Sequence, residues 1–239
     1  MGKQVCYLII RAILTTFRVA DASVLLVSPV AFDGTGLGTV NTVLTIQHSG
    51  SNTMESGCVA FDGSADVIGS SACAAGFSGG DEHTGASQTL TRTVAESGAA
   101  NAADFRIVFN AVQPGGGSVT LDGLAVSFFS PSGTVLFTAN TSSSTFFLAT
   151  FTGTGKSGFV FALDSAQAAN ATAAGAFSSA ANRIGLSATV SGAAGGPETF
   201  FVTSASGIGS PIPEPSTYLM LSAGLFGLGC LRFSSRHKS

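Results

Sequence analysis

The chain has 239 residues, of which only 10% are charged and 45% hydrophobic, with 31 Gly, 19 Phe, no Trp and a formal net charge of −3. Disorder combines low hydrophobicity with high net charge, so this composition excludes an unfolded chain and describes a weakly charged polypeptide with ample Phe for a core. The charge is also unevenly placed: residues 32–210 hold eleven Asp or Glu against Arg92, Arg106, Lys156 and Arg183, too few clustered cations for nucleic acid to be a partner.

The first 31 residues read as an atypical leader. Lys3 opens a short basic region and Val5–Ile10 is apolar, but Arg11, Arg18 and Asp21 interrupt before Val24–Val27 resumes. An ordinary secretion signal has an unbroken apolar stretch. Cleavage has two candidate places: after Ala22, with Ala20 and Ala22 as the small-residue pair, or near Ala31. An incorrect start codon would equally account for the broken pattern.

From Val40 the pattern has period two. Residues 43–47, 88–94, 105–112, 118–129, 134–139, 144–151, 158–163, 183–190 and 199–203 alternate or run apolar, separated by Gly, Pro, Asn and Ser. Strands this short, without helices between them, predict one all-β domain over 32–210, an antiparallel β-sandwich or jelly-roll-like fold. One short helix is expected, Ser165 to about Ala174, capped by Asp164 and ended by Gly175. Residues 49–85, rich in Gly, Ser and Ala, read as a long loop or irregular hairpin.

Chemistry is sparse along this body. GTGKSG at 153–158 lacks the Walker spacing and precedes a strand, so Lys156 reads as a turn lysine. His48 and His83 stand in no nucleophile elbow, and Asp81, Glu82 and His83 read as a solvated turn. Asp62, Ser64 and Asp66 have the alternate spacing of a calcium loop but lack its distal Glu. Asp33-Gly34-Thr35-Gly36 reads as a turn. No catalytic residue, metal site or cofactor is therefore expected.

The C-terminal segment, 211–239, is the most specific part of the chain. Pro211, Pro213 and Pro215 impose an extended backbone around Glu214. The uncharged run 218–231 follows, containing Tyr218, Leu219, Leu221, Leu225, Phe226, Leu228 and Leu231, and then the basic stop Arg232, Arg236 and Lys238. As a helix the run reaches about 21 Å, a marginal span of a ~30 Å hydrocarbon core. It is apolar all round, and the cations after it follow the positive-inside pattern. It is therefore read as a C-terminal transmembrane helix and not as a core helix.

Pro213-Glu214-Pro215, the short apolar helix and the Arg-containing tail together resemble the PEP-CTERM sorting signal of Gram-negative bacteria, over about residues 211–238. The resemblance implies export and transient anchoring in the inner membrane. It further implies cleavage near the motif by an exosortase-like processing protease, and release to the cell surface or medium, often alongside exopolysaccharide. GTGKSGFVF at 153–161 and GGPETFFV at 195–202 are similar to stretches of uncharacterised β domains that carry such tags.

Of four cysteines, Cys6 falls in the leader and Cys230 in the apolar run, leaving Cys58 and Cys73 in the body. In an oxidising compartment that pair is expected to form a disulfide, with metal ligation by two cysteines the weaker reading; in a chain kept in the cytoplasm both would stay reduced. The expectation is a non-enzymatic exported surface or matrix protein. The alternative is a secreted hydrolase or carbohydrate-binding module acting on polysaccharide. Hydrolysis would need two carboxyls facing one cleft, and the lack of Trp lowers the odds of sugar stacking.

Overall fold

The computed structural model describes residues 23–29, 40–49, 53–86, 88–113, 117–148 and 157–208. Met1–Ala205 and Ser206–Ser239 are separate compact units, and the β fold belongs to the first. Its strands are β1 (Val24–Pro29), β2 (Asn41–Ile46), β3 (Met54–Phe61), β4 (Asp66–Ile68), β5 (Arg92–Thr93), β6 (Phe105–Ala111), β7 (Val119–Phe129), β8 (Val135–Asn140), β9 (Thr145–Phe147), β10 (Ser157–Leu163), β11 (Arg183–Ser191) and β12 (Glu198–Ser204). One sheet has the order β1-β10-β6-β12-β2. The other runs β4-β3-β11-β7-β8, with β5 pairing β11 and β9 pairing β7. Every pairing between these strands is antiparallel, so the all-β reading holds.

The alternation that marks the strands in sequence also fixes which face is buried. In β6, Phe105, Ile107 and Phe109 point one way and are fully buried, as are Leu124, Val126 and Phe128 of β7. These two sets come from different sheets and meet in one core: the Phe105 and Phe128 rings lie 5.3 Å apart in an edge contact. Nearby, Phe147 of β9 stacks on Phe159 of β10 at 3.8 Å, and Phe109 stacks on Phe200 at 4.8 Å. Each ring buried this way contributes about 1.5–3 kcal/mol of transfer free energy, which is how a chain without Trp closes its core.

Among the described residues two short α-helices accompany the sheets. In α1 (Val94–Ser97) a capping box ends β5: the Thr93 hydroxyl accepts from the Glu96 amide and the Glu96 carboxylate accepts from the Thr93 amide, with Gly98 in the left-handed conformation as C-cap. The expected strand over 88–94 is thus cut to two residues, because Thr-x-x-Glu offers the exposed amides of a helix start better partners than a sheet does. The helix α2 (Ser165–Ala173) lies where expected. Asp164 accepts from the Gln167 amide at 2.7 Å, a bond that holds its carboxyl below the ordinary range.

Residues 54–61 depart from the loop reading. They form β3, paired along most of its length with the central strand β11. Gly57 explains both the fold and the misreading: a Cβ there would lie 2.2 Å from Ile46 Cγ2, so the contact between the two sheets at this point requires a residue that weakens the strand pattern. Val24–Pro29, placed in the leader by sequence, forms β1 against β10.

Candidate functional site

The polar groups of the body concentrate where β2 of one sheet approaches β3 of the other. The disulfide Cys58–Cys73 closes a loop of sequence separation 15, joining β3 to the residues after the short 3-10 turn Ser70–Ala72. Closing a loop of that size removes about 3 kcal/mol of denatured-state entropy. The loop then returns through Gly79 and Gly80 to Asp81, Glu82 and His83.

These three residues form a clip and not the solvated turn expected from GGDEHTG. The Asp81 carboxylate accepts from the Ser56 amide at 2.8 Å and pairs with His48 Nδ1 at 2.8 Å. The backbone of the same segment bonds Gln47, Ser56 and Thr45. Glu82 accepts from the Cys58 amide at 2.7 Å, and its backbone bridges to Ile46. Amides of both sheets are satisfied by a single tripeptide. Among the described residues no group of three or more His, Cys, Asp and Glu is placed to hold a metal ion. Asp62 and Asp66 serve other ends: Asp62 Oδ1 accepts from the Ser64 and Ala65 amides and the Ser64 hydroxyl, bonds that lower its pKa, the Ala65 amide most. Asp66 accepts from the Thr91 hydroxyl.

The site that sequence reasoning missed is a carboxyl pair across the two sheets. Glu55 of β3 is 4% exposed and Glu198 of β12 fully buried. Gln113 Nε2 donates to Glu198 Oε1 at 2.7 Å, and Gln113 Oε1 accepts from the Ala194 amide at 3.1 Å. The Oε2 atoms of both acids are buried. Burial, then the neighbouring Glu55 carboxyl, pushes Glu198 up to about 9. Burial raises Glu55 as well, partly offset by hydrogen bonding to Glu198 and to the His48 backbone. Glu198 therefore keeps its proton at neutral pH, so the two buried carboxyls do not both carry a charge, which would be prohibitive. Neither carboxyl faces solvent.

Cys58 and Cys73 are the sequence-predicted residues that the structure brings together. The motif Pro213, Glu214 and Pro215, the anchor residues Tyr218 to Leu231, and Arg232, Arg236 and Lys238 lie outside the described residues, as do Asp33–Gly36 and Lys156. Among the described residues no helix is long and apolar enough to cross a membrane.

An antiparallel β domain with an internal disulfide and a C-terminal Pro-Glu-Pro, apolar, basic segment has the makeup of an exported protein sorted through its tail. Residues 211–233 match the family model described as the PEP-CTERM protein-sorting motif. The chain carries this sorting signal, which implies an exported protein, anchored at the membrane before processing by an exosortase, a membrane protease. The chain matches no curated protein and no solved structure, so the similarity of 153–161 and 195–202 to other tagged β domains finds no support there.

Proposed function

We propose that this is a non-enzymatic surface or extracellular-matrix protein, a β-sandwich of jelly-roll-like architecture delivered by its C-terminal signal and associated with exopolysaccharide. The observation that carries the reading is the sorting motif at 211–233. The body supports it: its covalent loop closure suits an oxidising exterior. The adjacent carboxyls Glu55 and Glu198 are buried between the sheets and face no cleft, which weighs against the hydrolase alternative.

The test is the intact mass of the protein recovered from the envelope and medium of its native host. Loss of roughly the last 25–30 residues together with a leader is the expected result. A full-length chain found in the cytoplasm would overturn the reading.

A further inference from the structure

We propose that the leader is removed at the Ala22–Ser23 bond and that the α-ammonium thereby created on Ser23 is held by the Asp164 carboxylate. The inference rests on export. It settles which of the two candidate cleavage places is compatible with the fold.

Cleavage near Ala31 would delete β1. That strand pairs with β10 from Val24 opposite Leu163 to Pro29 opposite Phe159, and Val24, 3% exposed, belongs to the core. Removing it would open the edge of one sheet and leave a row of unpaired backbone groups on β10, a template for aggregation. Cleavage after Ala22 removes none of these contacts. Ala20 and Ala22 supply the small residues that a signal peptidase requires on the leader side of the bond.

Ser23 is built as an anchored end. It is 8% exposed, and its nitrogen donates to Asp164 Oδ2 at 3.1 Å, while the Asp164 amide returns a bond to the Ser23 carbonyl at 3.3 Å. Ser23 also bridges Asn140 at the end of β8, so it joins the margins of both sheets. Asp164 divides its oxygens, Oδ1 to Gln167 at the start of α2 and Oδ2 to Ser23. Hydrolysis breaks the Ala22 C–N bond; water supplies the hydroxyl of the new Ala22 carboxyl group and a proton to the Ser23 nitrogen, and protonation in solution completes the ammonium. A neutral amide donor beside Asp164 becomes a cation, and the hydrogen bond becomes charge-assisted.

N-terminal sequencing of the protein recovered from the envelope tests the cleavage. The wild type and Ala31→Phe are expected to begin at Ser23, and Ala22→Phe to lose that end. An exported chain beginning elsewhere would overturn this inference while leaving the sorting reading intact; a full-length cytoplasmic chain would overturn both. The pairing is tested with Asp164→Asn, which keeps a capping oxygen for α2 but no charge. Its drop in thermal midpoint is expected to be about 2–4 °C larger in the processed chain than in the unprocessed Ala22→Phe chain, where position 23 is still an amide. Equal drops would overturn the pairing.

Discussion

Glu198→Gln should flatten the pH dependence of stability. In the folded protein Glu198 holds its proton up to about 9, against an ordinary 4.5. Its contribution is therefore fully present below pH 4.5, where folded and unfolded chains both bind the proton. It is lost progressively as pH rises towards 9, because the unfolded chain ionises first. Between pH 4.5 and 7 the loss from this one group is on the order of 3 kcal/mol, at 1.36 kcal/mol per pH unit. A glutamine at 198 keeps an oxygen to accept from Gln113 and offers an amide to Glu55, so the packing survives while the titration disappears. Urea unfolding followed by far-UV circular dichroism is the suitable assay, since the chain has no Trp. The wild-type midpoint should fall steadily from pH 5 to 8, and the variant should fall much less and overtake it in the alkaline range. Equal slopes for the two proteins, or a wild type that gains stability with pH, would refute a proton held on Glu198.

Three further outcomes follow from the same geometry. Replacing Cys58 and Cys73 with Ala, or reducing the disulfide, should cost about 3 kcal/mol by loop-closure entropy, read as a lower urea midpoint that reductant shifts in the wild type only. Asp81→Ala leaves the Ser56 amide and His48 without their acceptor and should cost about 1–3 kcal/mol by the same measurement. Replacing Pro213 and Glu214 with Ala should leave body stability unchanged but retain the C-terminal segment in the mass of the envelope protein.

How much of this was legible in the sequence varies with how local the cause is. β7 was readable nearly to the residue, because Val119 and Leu121, then Leu124, Val126 and Phe128, alternate on either side of a one-residue register shift at Asp122. The α2 start was readable from Asp164 alone, since a cap acts within one turn. β3 was hidden: Ser56, Gly57 and Cys58 break the pattern, and Gly57 is required by a neighbour, Ile46, that belongs to the other sheet. β1 was hidden for a different reason, since an unbroken apolar run near the N-terminus serves a leader and a strand equally well. The Thr93-x-x-Glu96 capping box is a local signal that the reading of 88–94 as a strand passed over. The Glu55–Glu198 pair left no signal, because it depends on the register of β3 on β11 and of β12 on β6, set 143 residues apart in the chain. Cys58 and Cys73 could be paired by elimination once the two ends had been set aside.

Those hidden features share a task. Two facing sheets present four edges, and open edges invite pairing with another chain. The β2 edge is occupied by Asp81, His83 and Leu90, whose backbone groups bond Gln47, Thr45 and Val43, while Asp81 and Glu82 also satisfy amides of β3. On the far side Ser23 bridges Asn140, linking the margin of β1 to β8. One seam is thus fastened by a disulfide, a carboxylate clip and a buried acid pair in which Glu198 is protonated, and the other by the end of a strand. The segment 54–83, which looks least like strand in sequence, closes one side of the body, because closure there takes Gly57, the Cys58–Cys73 disulfide and the acids Glu55, Asp81 and Glu82, all of which disrupt the alternation.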